Sequence, residues 1–120
     1  MVKPTKLFWK VGKHVLTYLR GTSGYGLWYR QLDEVRLCGF TDADWAGSPT
    51  DRKSTSGGIF SIGSTTVSWY SRKQISMALS SVEAKYMAAS LAACEAIWMR
   101  KILVGFFGSH LEPTLIYCDN

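Results

Sequence analysis

The end of an apolar strand, followed by two carboxylates, lies in residues 39–47, Gly39-Phe40-Thr41-Asp42-Ala43-Asp44-Trp45-Ala46-Gly47. The run from Val35 to Thr41 has the composition of a strand. Asp42 and Asp44 stand two residues apart at its end, and side chains at this spacing point to the same side of a strand. Charge placed directly after an apolar strand is costly. The strand that decides the fold is therefore also expected to carry functional residues.

Further elements are predicted on both sides of that strand. A helix is expected over residues 5–20, ending at Gly21, and a strand from Gly26 to Arg30. A hairpin about Gly63-Ser64 joins the strands Gly58 to Ile62 and Thr66 to Tyr70. A long helix then runs from Ser80 or Ser81 to about Phe106, with Gly105 and Gly108 as stop signals, before a strand from Thr114 to Cys118. This order predicts an α/β fold, a mixed sheet whose last strand arrives by a crossover connection.

The long helix is apolar on nearly every side. Two apolar rows are expected on it, one of Val82, Tyr86, Ala89, Ala93 and Ile97 and the other of Met87, Leu91, Trp98 and Ile102. The alanines of the first row would allow close approach to a sheet, and such a helix must be covered on both sides. Because the chain has little left to cover it with, we expect the fold to be incomplete at the C-terminus.

Composition bounds the class of protein. The 120 residues are the length of one domain, and an apolar fraction of 47% supplies a core and argues against disorder. No apolar run is long enough to cross a membrane, and the start lacks a secretory signal, so an intracellular protein, cytoplasmic or nuclear, is expected. The spacing of Cys38, Cys94 and Cys118 favours buried, reduced thiols over a disulfide framework or a zinc site.

The net charge of +5 is concentrated near the N-terminus. Residues 1–36 hold seven basic residues against Asp33 and Glu34, an excess that equals the whole net charge. On the predicted first helix, the apolar residues Phe8, Val11, Val15 and Leu19 share one face, and the basic residues Lys6, Lys10, Lys13 and Arg20 lie opposite. The basic side is either a solvated face or a surface that follows phosphates.

Four carboxylates are candidates for one site. Asp42 and Asp44 end one strand, Asp119 ends another, and Glu83 opens the long helix. If the two strands are neighbours, these groups converge, and such a cluster needs protons or cations. Hard oxygen ligands select Mg²⁺ or Mn²⁺. Purely structural interpretations stay open: Ser80 to Glu83 is also a capping box, Asp119 fits a turn, and Asp42 to Asp44 fits the start of a loop.

Motifs of other enzyme classes are missing. The sequence has no P-loop, no dinucleotide-binding glycine motif, no zinc-protease motif and no nucleophile elbow. Neither His14 nor His110 has partners placed for a catalytic triad. Nucleophilic catalysis by a side chain is therefore not expected.

Six blocks between residues 39 and 120 are distinctive when taken together. They are the stretch from Gly39 to Gly47, Asp51-Arg52-Lys53-Ser54-Thr55-Ser56-Gly57, Val67-Ser68-Trp69-Tyr70-Ser71-Arg72-Lys73-Gln74, Ala78-Leu79-Ser80-Ser81-Val82-Glu83-Ala84-Lys85-Tyr86, Glu95-Ala96-Ile97-Trp98 and Ile116-Tyr117-Cys118-Asp119-Asn120. In content and order they resemble the ribonuclease H domain of copia-type retrotransposon polyproteins. Residues 4–30, with Pro4-Thr5-Lys6-Leu7 and Tyr18-Leu19-Arg20-Gly21-Thr22, resemble the tail of the preceding reverse transcriptase. The resemblance implies a boundary between a connection segment, residues 1–30, and a truncated ribonuclease H-like domain, residues 31–120.

The resemblance also implies a fold and an activity. The fold is a ribonuclease H-like mixed sheet with flanking helices, and the activity is hydrolysis of the RNA strand of an RNA–DNA hybrid with two divalent ions, Mg²⁺ or Mn²⁺. Asp42, Glu83 and Asp119 match three carboxylates that are both catalytic and metal-binding, and only the resemblance prefers Asp42 to Asp44. The implied partners are the RNA–DNA hybrid and the remainder of the polyprotein, with its reverse transcriptase, and no membrane.

The loop after Asp42 carries the predicted phosphate contacts, Arg52, Lys53, Ser54 and Thr55, for which a solvated loop is the alternative. The chain departs from the family at Val82, where a threonine is usual, and at Lys85, where an acidic residue is. The family's fourth carboxylate would lie beyond Asn120, so we expect little or no cleavage by these 120 residues. The alternatives are a non-catalytic nucleic-acid-binding piece and a scaffold remnant of a degraded element.

Overall fold

The computed structural model describes residues 5–30, 35–108 and 111–119. Its elements are α1 (Lys6–Gly21), β1 (Leu37–Asp44), β2 (Thr55–Ile62), β3 (Thr65–Lys73), α2 (Ser81–Phe107) and β4 (Leu115–Cys118). The four strands form one sheet in the order β3-β2-β1-β4. β1 and β3 both pair antiparallel with β2, whereas β4 pairs parallel with β1. The predicted mixed α/β sheet with a crossover to its last strand is confirmed, and it is compatible with a ribonuclease H-like fold.

The β2–β3 hairpin turns where the sequence predicts. Gly63 has a φ of 60°, a left-handed backbone that glycine adopts without strain. The pairing register shifts between Phe60 and Ser61, which is a local irregularity of the β-bulge kind. Both strands are longer than predicted, because β2 begins at Thr55 and β3 ends at Lys73.

Caps at both ends define α2. Ser80 is extended, and its hydroxyl accepts a hydrogen bond from the amide of Glu83. At the other end Gly108 is left-handed, with a φ of 62°, and its N–H donates to the carbonyl of Val104. The predicted start and the stop at Gly108 are confirmed, whereas Gly105 lies inside the helix.

The face of α2 that packs on the sheet differs from both predicted rows. The buried residues are Ala84, Ala88, Ala92, Ala96, Met99 and Leu103. From the first predicted row, Tyr86 and Ile97 are exposed, and from the second so is Trp98. The prediction that the alanines of the first row, Ala89 and Ala93, approach the sheet was wrong, because the neighbouring alanines take that place. Small residues four apart form a ridge that lets the helix backbone approach the strands closely.

The core lies between α2 and one face of the sheet. Phe60 is fully buried and clusters with Leu37 and with the α2 residues Ala92, Ala96, Met99 and Leu103. Gly39 makes room for Phe60, since a Cβ at Gly39 would lie 2.7 Å from the phenyl ring. The glycine of the decisive stretch is therefore required by packing.

The crossover from α2 to β4 is fixed by Arg100. Its guanidinium donates to the backbone carbonyls of Leu111 and Glu112 and to the hydroxyl of Thr114. Leu111 is buried in the core cluster. These contacts place β4 at the edge of the sheet beside β1.

Residues 25–30 are not a strand, so the predicted strand from Gly26 to Arg30 was wrong. This segment is held by side-chain bonds instead of a backbone ladder. The hydroxyl of Thr65 donates to the carbonyl of Trp28 at 2.8 Å, and the hydroxyl of Tyr29 donates to the carbonyl of Thr66 at 3.1 Å. The predicted boundary between residues 30 and 31 adjoins residues outside the described ranges, and it stays a prediction.

The first helix forms as predicted, but it packs on no other element of the described residues. Thr5 caps it by accepting from the amide of Phe8. None of its residues is buried, and it contacts no other helix or strand in the described part of the chain. Its apolar row, Phe8, Val11, Val15 and Leu19, is therefore exposed.

Two further predictions concern the cysteines and membrane-spanning helices. The cysteines are free, as predicted, but Cys94 and Cys118 are exposed, so the prediction of burial was wrong for both. No helix among the described residues is long and apolar enough to span a bilayer.

Candidate active site

Asp42 and Asp119 are brought together by the parallel pairing of β1 and β4. In that register Phe40 pairs with Tyr117 and Thr41 with Cys118. Asp42 follows Thr41 and Asp119 follows Cys118, so the two aspartates lie side by side at the same end of the parallel pair. The predicted convergence of the two strand ends is therefore present.

Both aspartates belong to the face of the sheet that α2 does not cover. Thr41 is buried and points to α2, where its hydroxyl lies 3.4 Å from the carbonyl of Ala88. Since neighbouring residues of a strand point to opposite faces, Asp42 faces the other way, and it is exposed. Its Oδ1 accepts from the amide of Ala43 at 2.7 Å. We call this uncovered side the open face.

A shallow cavity of about 690 Å³ lies on the open face. Asp42 and Asp119 stand at its end, and Phe40, Trp69 and Tyr117 are among its walls. Gly57 pairs with Asp42 in the adjoining strand and leaves the space above it free of side chain. The two carboxylates are therefore accessible to a large ligand.

Glu83 takes part in a different structure. It occupies the third position of α2, where its amide donates to the hydroxyl of Ser80 at 3.1 Å. Its carboxylate reaches back and accepts from the amide of Leu79 at 2.6 Å. This reciprocal pattern is a variant of the capping box that the sequence left open as an alternative, with the amide of Leu79 in the place of that of Ser80. α2 lies across the sheet from the open face.

Of the three predicted ligands, Asp42 and Asp119 therefore lie side by side, and Glu83 does not join them. Among residues 5–30, 35–108 and 111–119, no three His, Cys, Asp or Glu side chains are close enough to hold a metal ion together. Asp42 and Asp119 fit a single Mg²⁺, which proteins bind through one or two carboxylates and several waters. They do not fit a site in which Glu83 is a third ligand.

Asp44 stands apart from this pair in its surroundings. It is the last residue of β1 and is exposed. A Cβ at Gly47 would meet its carboxylate at 2.0 Å, so the chain folds back tightly over it. Next to it, the indole of Trp45 donates to the carbonyl of Ala78 at 3.3 Å and ties this turn to the segment before α2.

The predicted phosphate-binding residues are not equivalent. Ser54 is fully buried, and its hydroxyl accepts from the amide of Ala46 at 3.1 Å, so it shapes the loop from within. Lys53 donates to the carbonyl of Ile75 at 2.6 Å. Thr55 begins β2 and is half-buried. Arg52 is exposed and has a positive φ of 53°. Arg52 is the member of this set that is best placed to reach a ligand.

Sequence reasoning missed a buried polar link beneath the site. The side-chain amide of Gln74 donates at 2.9 Å both to the hydroxyl of Ser56 and to the carbonyl of Ala84. It thereby fixes β2 and the end of β3 against α2. Ser56, Gln74 and Ala84 each lie in one of the blocks that carry the resemblance, which was the available signal, but the sequence did not indicate how they join.

An exposed ion pair sits at the end of β3. Lys73 lies 2.8 Å from Asp51. The pKa of Asp51 lies well below its usual range because the carboxylate accepts hydrogen bonds from Lys73, which has the larger effect, and from Ser48. This pair braces the loop that carries Arg52.

Fold and site together define the class of protein: a mixed α/β sheet with paired aspartates at the ends of two adjacent parallel strands. Comparisons with curated proteins add the family. The chain is 46% identical over 96 residues to Secreted RxLR effector protein 161 of Plasmopara viticola, spanning 80% of this chain and 68% of that protein. It is 40% identical over 117 residues to the Retrovirus-related Pol polyprotein from transposon TNT 1-94 of Nicotiana tabacum, and 38% identical over 120 residues to that from transposon RE2 of Arabidopsis thaliana.

The chain belongs to the family that these proteins form, and as a homologue of copia-type Pol polyproteins it is derived from a retroelement. It spans 98% and 100% of its own length in the two Pol alignments but only 9% and 8% of the polyproteins. No profile of a known protein family matches the chain. No solved structure matches it either.

Proposed function

We propose that this chain is a ribonuclease H segment of a retrotransposon Pol polyprotein, which hydrolyses the RNA strand of RNA–DNA hybrids with the help of Mg²⁺ or Mn²⁺. The observation that carries the proposal is the pairing of Asp42 and Asp119 at the ends of two parallel strands, in a chain homologous to Pol polyproteins. The remainder of such a polyprotein, with its reverse transcriptase, is the proposed partner. The proposed place of action is the cytoplasm or the nucleus.

The roles of the side chains follow from their positions. Asp42 and Asp119 would hold a divalent ion at the end of the open face. A bound divalent ion supplies the chemistry of such a site, since it lowers the pKa of a water and stabilises a leaving oxygen. The carboxylates fix where that chemistry occurs, and both are exposed at the open face, where a duplex can approach them.

Substrate recognition rests on shape and phosphate contacts. A hybrid duplex is read through its backbone and its 2′-hydroxyl groups and not through base edges. Arg52, with support from Lys53 and Thr55, is proposed to contact phosphates along the loop between β1 and β2. Ser54 supports this loop from inside because its side chain is buried.

Cleavage by this chain is expected to be weak. Glu83 is engaged in the α2 cap and does not join the aspartate pair. Loss of a supporting residue at a metal site costs roughly 10–100-fold in metal affinity or activity, and a missing direct ligand costs more. Little or no turnover is therefore the expected result for residues 1–120.

The direct test is a cleavage assay with an end-labelled RNA–DNA hybrid in Mg²⁺ or Mn²⁺. We expect slow, metal-dependent cuts in the RNA strand that disappear in Asp42→Asn and persist in the matched control Asp44→Asn. Cuts that survive Asp42→Asn, or that need no divalent ion, would reject the proposed site. Robust turnover would reject the argument from Glu83.

The second candidate is a nucleic-acid-binding piece without catalysis. It is favoured by α1, whose basic side, Lys6, Lys10, Lys13 and Arg20, is exposed and bound to no other helix or strand in the described residues. Phosphate contacts release counterions, so this function predicts hybrid binding that falls steeply with salt and no cleavage. Neither binding nor cleavage would leave a scaffold remnant.

A further inference from the structure

The first helix, α1, is divided into an apolar side and a basic side. At about 100° per residue, its large apolar side chains share one arc of roughly 200° around the helix axis, and the basic side chains occupy the rest. We call this arc the apolar arc. Its residues are each between 50% and 69% exposed, and they are Leu7, Phe8, Trp9, Val11, Val15, Leu16, Tyr18 and Leu19. The helix contains no acidic residue, and its cations are Lys6, Lys10, Lys13 and Arg20.

The apolar arc has no partner among residues 5–30, 35–108 and 111–119, since α1 contacts no other helix or strand there. The segment after α1 is held at the start of β3, where Trp28 and Tyr29 are bonded to Thr65 and Thr66. A helix of this length owes most of its stability to the packing of an amphipathic face. The apolar arc of α1 therefore needs a contact from outside the described residues.

Aromatic side chains lie near both edges of the apolar arc. Trp9 is at one edge, beside Lys13, whose ammonium group lies 5.3 Å from the centre of the Trp9 ring. Tyr18 is near the opposite edge, next to Leu7. Tryptophan and tyrosine favour the boundary between hydrocarbon and water, because each joins an apolar ring to a polar group. The edges of the arc therefore suit a boundary between an apolar phase and water.

The cations of α1 lie beyond these edges, on the side opposite the centre of the apolar arc. Arg20 and Lys13 follow Trp9 within about 40° around the helix axis, and Lys10 lies beyond the other edge. Long basic side chains can keep their charge in water while the helix buries its apolar side. A bilayer surface satisfies both sides in one orientation, with the apolar arc in the acyl boundary and the cations at the headgroups. Four cations without an acidic residue select lipids of negative charge.

We propose that α1 binds the surface of an anionic lipid bilayer and lies in the plane of that surface. Its 16 residues span about 24 Å and carry four charges, so α1 is too short and too polar to cross the bilayer. The proposal departs from the expectation of no membrane partner, because a helix can lie on a bilayer without spanning it. It does not rest on the proposed ribonuclease activity. Because α1 contacts no strand of the described residues, the open face stays accessible while α1 is bound.

A nucleic acid accounts for only one side of α1. Phosphates would contact the cations, but the apolar arc would remain in water. An anionic bilayer covers the arc and pairs with the cations at once. Nucleic-acid binding by α1 is therefore an alternative outcome of the test and not part of the proposal.

The test is co-sedimentation of the full chain with vesicles of phosphatidylcholine alone or of phosphatidylcholine and phosphatidylserine in equal parts. We expect binding to the mixed vesicles to be at least about tenfold tighter and to weaken as salt is raised. Val15→Gln, at the centre of the apolar arc, should weaken this binding by about tenfold, because it removes apolar burial. Thr17→Gln is the matched control, since Thr17 lies among the cations and should bind like the wild type. Circular dichroism checks that each variant keeps its fold.

Fluorescence locates the contact on α1. The chain has five tryptophans, of which Trp9 is the one in α1. Lipids with brominated acyl chains should quench the emission of the bound chain, and Trp9→Phe should remove most of that quenching. Lys10→Gln combined with Lys13→Gln should lower the preference for phosphatidylserine by at least about fivefold.

The same variants separate lipid from nucleic acid. Val15→Gln leaves the cations of α1 in place, so it should weaken binding to vesicles without changing any binding of an RNA–DNA hybrid to the basic side. A chain that ignores the mixed vesicles, with or without affinity for the hybrid, would overturn the proposal. Equal vesicle binding by Val15→Gln and Thr17→Gln would overturn it as well, and so would quenching that survives Trp9→Phe.

Discussion

The two faces of the sheet differ in almost every property, although they share the same strands. One face is covered by the alanine ridge of α2 and buries Phe60 completely. The other presents Ile59, the neighbouring residue, together with the aspartates of the candidate site. The covered face accounts for the stability of the fold, whereas the open face holds what is available for function. The change in stability that a substitution causes should therefore depend on which face its residue lies on.

The largest expected contrast is between two adjacent residues of β2. Phe60→Ala removes a fully buried ring and should lower the free energy of unfolding by about 3–5 kcal/mol. Ile59→Ala lies on the open face and should cost no more than about 1 kcal/mol. Urea unfolding of both variants gives the comparison. Equal losses would mean that both faces are packed.

Two adjacent alanines of α2 test the assignment of the buried ridge. Ala92 is fully buried against the sheet, so Ala92→Leu should overpack the interface and cost about 1–3 kcal/mol. Ala93 is exposed, and Ala93→Leu should stay within about 0.5 kcal/mol of the wild type. Thermal unfolding measures the change in stability of both variants. The reverse order of the two effects would restore the row that the sequence favoured.

The cap of α2 should give a smaller effect. Ser80→Ala removes the acceptor for the amide of Glu83 and should cost about 1 kcal/mol. Ser90→Ala, on the exposed side of the same helix, serves as the control and should be neutral or slightly stabilising. Urea unfolding measures both. A neutral Ser80→Ala would show that the capping box does not hold Glu83.

The smallest effect is expected at the ion pair of Asp51 and Lys73. Lys73→Met should raise the pKa of Asp51 towards its ordinary value, which carbon-detected NMR titration of the carboxyl group measures. Because folding lowers this pKa, the stability that the pair contributes is present above about pH 3.9 and is lost as the pH falls. The pair is exposed, so the change in stability should be slight. An unchanged pKa in the variant would remove Lys73 as the cause.

Much of the fold was predictable because local signals agreed with it. The caps at Thr5, Ser80 and Gly108 and the turn at Gly63 fix where elements begin and end. The segment from Gly26 to Arg30 was mistaken for a strand because its composition fits one. In the structure its contacts with β3 come from side chains, so no ladder forms.

The site was only partly predictable, for two physical reasons. Periodicity could not choose between two rows of alanines on a helix that is apolar on nearly every side, and the sheet packs on the row of Ala88 and Ala92 instead of that of Ala89 and Ala93. Glu83 satisfied two patterns at once, and the contact with Leu79 four residues away is made within its own helix cap. The neighbouring positions of Asp42 and Asp119 followed from a parallel pairing of β1 and β4, which the order of elements indicated.

The ion site at the end of the open face is tested most directly by NMR with Mn²⁺. Trace Mn²⁺ broadens the amide signals of residues near the bound ion, so a titration of isotope-labelled chain locates it. We predict that the signals of Asp42, Ala43 and Asp119 weaken first, ahead of Glu83, and that Asp42→Asn removes the effect while Asp44→Asn does not. Uniform broadening, or a centre at the start of α2, would contradict the account.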